Sequence, residues 1–233
     1  MTQPSSDTPS LSPVIVALDV SSQSEALAIA ERLDPKLCRV KVGKQLFTHE
    51  GPAVVKALHA LGFDVFLDLK FHDIPNTVAQ AVTAAAQLGV WMVNVHALGG
   101  AKMMAAAKAA LAHFEQPPLL IAVTVLTSHR EDYPQELGLE ESIQDLGAKL
   151  AKRAYQAGLD GVVCSAYEAS AIKQVTADDF ITVTPGIRFA DQDSQDQSRV
   201  MTPEKALANG SDYLVMGRSI VGAEDPISVI RLI

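Results

Sequence analysis

Cysteine is scarce, with two residues in 233, Cys38 and Cys164. Both sit in apolar runs that read as strands, so two buried thiols are expected. Neither a disulfide scaffold nor a thiolate metal site is. An excess of basic residues is also missing. Nineteen Lys and Arg face 27 Asp and Glu, for a formal net charge of -8. This works against a nucleic-acid partner, which usually meets a basic surface. It leaves room for a small anionic ligand, because a few cations in a cleft can outweigh a distant negative surface. No apolar run is long and uncharged enough to span a bilayer, so no membrane association is expected. The opening MTQPSSDTPSLSP has neither a basic start nor an apolar centre. It is therefore read as a disordered tail over residues 1–12 of a cytoplasmic protein, not as a signal peptide. No GxGxxG follows the first strand-like run, which leaves a dinucleotide fold little support. The GGAK at Gly99 lacks Walker spacing and reads as a helix start.

What is present is an alternation. Eight β-rich runs start at Val14, Cys38, Asp64, Trp91, Leu119, Gly161, Ile181 and Tyr213. Between them lie Ala-rich segments with apolar residues spaced by three and four, as helices require. Gly62, Gly89 and Gly158 follow three of these segments, where a C-cap glycine belongs. Strands that are apolar almost throughout are buried on both faces, as in a parallel sheet wrapped by helices. With 48% hydrophobic residues the chain can bury such a core. The expected fold is a single (β/α)₈ barrel over residues 13–233, with a doubly wound open sheet as the alternative. Two polar stretches are long, Ser128 to Glu141 after the fifth strand and Phe189 to Pro203 after the seventh. Both fall on the C-terminal face, where barrel sites are built, and are candidate lids.

Ionisable residues gather at the C-terminal ends of these buried strands: Asp19, Lys41, Asp68 and Lys70, with Asp73 just beyond. Asp68 and Lys70 are two apart, so on a regular strand they share a face. Charges at a barrel mouth need partners, since an unpaired buried charge costs several kcal/mol. An alternating Lys–Asp–Lys–Asp array meets that demand and fixes an ammonium in place. Strand eight ends in Gly217-Arg218, which could admit a phosphate to backbone N–H groups and grip it bidentately. Arg188 and Gln197, in the strand-seven loop, could join them. The reading is a split site, phosphate on one side and a carboxylate–ammonium array on the other. His96 has no nucleophile paired with it in the sequence and is read as structural.

The segment DLKFHDIPNT, Asp68 to Thr77, resembles the signature of the orotidine 5′-phosphate decarboxylase family. Further blocks fall in family order: ALD at Ala17, KVG at Lys41, NVHA at Asn94, VTVLTS at Val123, DGVVCS at Asp160, VTPGIR at Val183, DQSRVMTP at Asp196 and MGRSI at Met216. Phe189 and Ser219 stand where the family commonly has proline. The resemblance implies a cofactor-free, metal-free decarboxylase acting on orotidine 5′-phosphate. In it Lys70 gives a proton to C6, and Asp68 lies beside the departing carboxylate. Lys41 and Asp73 complete the array, and Asp19 and Lys41 contact the ribose. Thr127 and Ser128 lie near the ribose and pyrimidine edge, while Arg188, Gln197, Gly217 and Arg218 hold the phosphate. It also implies a homodimer in which Asp73, Ile74 and Thr77 come from the partner.

Two other readings are weighed against it. A Mg²⁺-dependent sugar-phosphate decarboxylase or aldolase on a related barrel has a similar Asp-x-Lys-x-x-Asp motif. It needs carboxylates free for a hard cation, whereas here Lys41 and Lys70 flank the acids. A non-catalytic nucleotide-binding module would leave the paired lysines and acids unexplained.

Overall fold

The structure is a computed structural model and describes residues 12–189 and 200–233. Eight strands form in the expected places: β1 (Val14–Ala17), β2 (Arg39–Gly43), β3 (Val65–Phe71), β4 (Met92–His96), β5 (Leu119–Val123), β6 (Gly161–Val163), β7 (Ile181–Thr184) and β8 (Tyr213–Met216). Each pairs in parallel with the next, and β8 returns to β1 with Val14 opposite Leu214. That last pairing closes a barrel and excludes the open sheet.

The helices form where the spacing of three and four predicts. In α4 (Pro75–Gln87), proline occupies the first turn, and Val78, Val82, Ala85 and Ala86 make the buried stripe. In α7 (Ile143–Gln156), the Ser142 hydroxyl accepts the Asp145 N–H as N-cap, and Ile143, Leu146, Leu150 and Ala154 face inward. Gly89 and Gly158 follow these two helices with φ of 77° and 82°, a left-handed turn that costs glycine nothing. GGAK starts α5 (Gly100–Ala110). No helix among the described residues is long and apolar enough to cross a membrane.

Strand periodicity sorts the core into two layers. Val14, Val16, Val40, Val42, Leu67, Val93 and Leu120 belong to the larger cluster between barrel and helices. Ile15, Ala17, Phe66, Met92, Ile121, Val183 and Val215 fill the interior. At the base, the Arg39 guanidinium lies 4.3 Å from the Trp91 ring centroid and 5.2 Å from that of Tyr213. Two residues further along the strands from Ala17, Phe66 and Met92 come Asp19, Asp68 and Asn94. With a side-chain period of two, they point into the same interior, one layer higher. The apolar plug thus becomes a polar floor at the mouth.

One strand is irregular. Between β3 and β4, Leu67 stands opposite Val93 but Phe71 stands opposite Val95. β3 therefore spends four residues where β4 spends two, a bulged register. Within it lies Lys70, with φ of 53°, the one non-glycine residue at positive φ among those described.

Candidate active site

A cavity of about 490 Å³ opens at the C-terminal ends of the strands. Its rim on β1 to β3 carries Asp19, Lys41, Asp68 and Lys70, and its rim after β7 and β8 carries Arg188, Gly217 and Arg218. Thr127 and Ser128, from the loop after β5, also line it, while Phe66, Val123, Val163 and Val215 supply apolar floor and wall. Because β8 adjoins β1, the arginine–glycine arc and the acid–lysine arc are neighbours on one rim.

The four ionisable groups form a continuous run. Lys41 Nζ donates to Asp19 at 3.0 Å and lies 3.4 Å from Asp68 Oδ2, and Lys70 Nζ donates to Asp68 Oδ1 at 2.6 Å. Lys41 and Asp68 are buried, and Asp19 is exposed. Burial by itself would lower the Lys41 pKa, but the Asp68 and Asp19 carboxylates outweigh it and hold the ammonium above its ordinary value. Burial likewise would raise Asp68. Lys41 and Lys70 overcome this, with hydrogen bonds from Lys70 and Asn94, and the carboxyl sits below its ordinary range. Both groups therefore stay charged across neutral pH.

Two contributors were not selected from the sequence. A Cβ on Gly43 would come within 3.3 Å of both Asp19 Oδ1 and Lys41 Nζ, so the glycine of KVG leaves room for that ion pair. Asn94, fully buried on β4, donates its Nδ2 to Asp68 Oδ1 at 2.7 Å and accepts the Lys70 N–H at 2.7 Å. Its signal was a lone amide within the otherwise apolar WMVNV run.

Lys70 and Asp68 meet, as their spacing predicts, but by a different route. The left-handed Lys70 interrupts the strand alternation, and its side chain folds back onto Asp68. Asp73 does not join the run within its own chain. It makes no ion pair among the described residues, and its Oδ1 accepts the N–H of Ile74 at 2.6 Å. Residues 72–77 are all exposed, Ile74 by 66%, and none lines the cavity. Gln197 lies outside the described residues, as do 190–196, 198 and 199 of the strand-seven loop. The two ends of that loop are held together, with the Arg188 N–H donating to Met201 O at 3.1 Å and the Met201 N–H to Gly186 O at 3.2 Å. The strand-five loop carries a short helix, α6 (Tyr133–Glu136). Phe189 packs on the core and Ser219 is buried at the start of α10 (Arg218–Val221).

His96 lies outside the cavity lining. Its Nδ1 accepts the Leu98 N–H at 3.3 Å, capping a 3₁₀ turn, and its ring stacks on His72 with centroids 5.4 Å apart. Burial, then the positive neighbours His72, Lys44, Lys70 and His129, push its pKa from 6.5 down to about 4. Between pH 6.5 and 4 the unfolded chain takes up a proton that the folded chain refuses. Stability is thus full above pH 6.5 and falls as the pH drops through that window. The loss from this group is expected to be about 1–2 kcal/mol, allowing for its partial exposure to solvent. His96→Asn, which keeps a capping side chain, should remove that part of the decline when urea midpoints at pH 7 and pH 5 are compared. An unchanged decline would assign it to other groups.

A closed (β/α)₈ barrel with lysines and carboxylates paired at its C-terminal mouth defines the class, a barrel enzyme. More narrowly, the chain belongs to the orotidine 5′-phosphate decarboxylase / HUMPS family, whose sequence profile matches residues 12–233. It is 58% identical over 213 residues to an orotidine 5′-phosphate decarboxylase of Teredinibacter turnerae, covering 91% of this chain and 92% of that protein. With the Chromobacterium violaceum protein of the same name the identity is 59% over 222 residues, covering 95% of this chain and 90% of the other. Among solved structures, the orotidine 5′-phosphate decarboxylase of Lactobacillus acidophilus superposes with a TM-score of 0.83 at 39% identity, covering 95% of this chain and 96% of that one. An uncharacterized conserved protein of Geobacillus kaustophilus gives 0.81 at 42%, covering 94% and 97%.

Proposed function

We propose that this chain is a cytoplasmic, cofactor-independent carboxy-lyase that converts orotidine 5′-phosphate to uridine 5′-phosphate and CO₂, the step that forms UMP in pyrimidine synthesis. The observation that carries this is the Asp19–Lys41–Asp68–Lys70 run in a cavity that also presents Arg188 and Arg218. The phosphate goes to the β7–β8 rim. A Cβ on Gly217 would meet Ala17 at an ordinary 3.6 Å, and its absence leaves the backbone open to an approaching phosphate. Arg188 and Arg218 then grip it, joined by Gln197. The neighbouring β1 and β2 bring Asp19 and Lys41 to the ribose. Thr127 and Ser128 face the ribose and pyrimidine edge.

The pyrimidine carboxylate is then at Asp68 and Lys70. Cleavage of the C6–carboxylate bond leaves its electron pair on C6 in an in-plane orbital that the ring cannot delocalise. The Lys70 ammonium stabilises that charge as it develops and transfers its proton to C6. The amine recovers a proton from water. Asp68 fixes the ammonium and repels the substrate carboxylate, which favours its loss. Phosphate binding, remote from the bond that breaks, can drive closure of the loop after β5. A Mg²⁺ enediolate mechanism fits less well, because Asp68 and Asp19 give their oxygens to lysines. The chain is read as a homodimer in which the exposed Asp73, Ile74 and Thr77 reach the partner's cavity.

Loss of the orotidine absorbance, followed spectrophotometrically before and after exhaustive chelation, tests this. Turnover that survives chelation supports it, and turnover restored only by Mg²⁺ overturns it. Arg218→Ala is expected to lower kcat/KM for the nucleotide by about 10²–10³-fold, the range for losing a charge-assisted grip of some 3–4 kcal/mol. Orotidine without its phosphate should change by less than about threefold. Equal damage to both substrates would make Arg218 structural.

A further inference from the structure

We propose that Asn94 is the positioning residue of this site, holding Lys70 in its left-handed backbone and Asp68 in its orientation with one amide group. The inference rests on the decarboxylase reading for its kinetic arm only. Three observations meet at Asn94. It is fully buried on β4, pointing into the barrel one layer above Met92. Its Oδ1 accepts the Lys70 N–H at 2.7 Å, and its Nδ2 donates to Asp68 Oδ1 at 2.7 Å, the same oxygen that Lys70 Nζ approaches to 2.6 Å. The residue it holds by the backbone lies in the bulge where β3 and β4 lose register, at φ of 53°.

A lysine gains nothing locally from that conformation, which costs a non-glycine residue about 1–2 kcal/mol. It persists where the surroundings over-determine it. On a regular strand Lys70 would share a face with Asp68 but start about 7 Å further along β3. The left-handed turn brings the ammonium back over Asp68, and the Asn94 oxygen anchors that turn. The two ends of one planar amide cannot move independently. The backbone that aims the ammonium and the carboxylate that receives it are thus set by a single rigid group. Asparagine suits this because its short side chain carries an acceptor and an N–H donor on two different atoms of one rigid group.

The test uses Asn94→Ala and Asn94→Asp in the full-length protein. Asn94→Ala should lower kcat on the order of 10²-fold, the cost of small misplacement of reacting groups, while the Kd for uridine 5′-phosphate stays within about threefold. The acid limb of kcat/KM should move to higher pH, because Asp68 loses a hydrogen bond to its charged form. Asn94→Asp keeps the size of the side chain. At neutral pH its second carboxylate should cut kcat as severely. As the pH falls, the new carboxyl takes a proton and can donate to Asp68 and accept from Lys70 again, so its kcat should recover towards the parent. A group that only fills space would give the two variants the same pH profile. Retention of kcat within fivefold in Asn94→Ala, or parallel loss of kcat, product affinity and thermal stability, overturns the proposal. A crystal structure of Asn94→Ala supplies a readout independent of turnover. Lys70 is expected to leave positive φ and its Nζ to part from Asp68; an unmoved Lys70 also overturns it. A parent protein without decarboxylase activity would sink the functional reading, and this structural arm would still decide the role of Asn94.

Discussion

Replacing Lys70 by alanine is expected to lower kcat by at least about 10⁴-fold and to leave binding of uridine 5′-phosphate within about tenfold. Two effects are lost at once. A fixed ammonium facing developing charge contributes roughly 10²–10³-fold, and a positioned proton donor a further 10²–10⁴-fold. They belong to one group and do not multiply freely, so the lower part of the combined range is the safer expectation. Under the proposed binding mode product binding survives, because the phosphate is assigned to another arc of the rim, where Arg188, Gly217 and Arg218 stand. Asp68 keeps Lys41 at 3.4 Å and Asn94 at 2.7 Å, so the variant does not strand a buried carboxylate. Single-turnover kinetics and product titration measure the two quantities separately. Turnover within tenfold of the parent would remove Lys70 from the chemistry.

An equal mixture of Lys70→Ala and Asp73→Ala proteins, each inactive alone, is expected to recover roughly a quarter of the parent activity. Asp73 is exposed, lies outside the cavity of its own chain and makes no ion pair among the described residues. It stands at the corner where β3 turns into α4, with Ile74 projecting beside it. A two-fold dimer that laid this corner over the partner's cavity would bring the carboxylate to the partner's Lys70 and cover the exposed isoleucine. Each cavity would then borrow one Asp73. In a mixed dimer, one site joins an intact Lys70 to an intact Asp73, and the other has neither. Random exchange makes about half of all dimers mixed, and half of the sites in those are whole. Exchange is verified by mass-labelled subunits, and activity is then read against the parent. Confirmed exchange without recovery means that Asp73 acts, if at all, within its own chain.

The barrel was legible because two periodicities alternate cleanly. Runs such as VIVA and LLIAV admit no amphipathic helix, and the stripe Val78, Val82, Ala85, Ala86 admits no strand. The end of β3 was less legible. Asp68 and Lys70 read as two residues on one strand face, and they do meet. However, nothing in DLKF announces the left-handed turn at Lys70, because lysine carries no local preference for it. That conformation is imposed from β4 through Asn94, and contacts between strands are invisible to a reading along one strand. The same reason hid Gly43, whose missing side chain matters only to Asp19 and Lys41. The arginine–glycine rim was found through its place in the fold, at the end of strand eight. Whether Asp73 serves its own cavity or another's is a property of two chains, and the sequence of one speaks to it only by resemblance.

Position 70 also sets folding against chemistry. Glycine would adopt its backbone without cost, and asparagine nearly so, each relieving about 1 kcal/mol relative to lysine. A lineage released from the reaction, yet still required to keep a sound barrel, should drift there first. Glycine or asparagine at this site in a barrel that otherwise retains Asp68 and Asn94 would mark a descendant that has kept the scaffold and abandoned the catalyst.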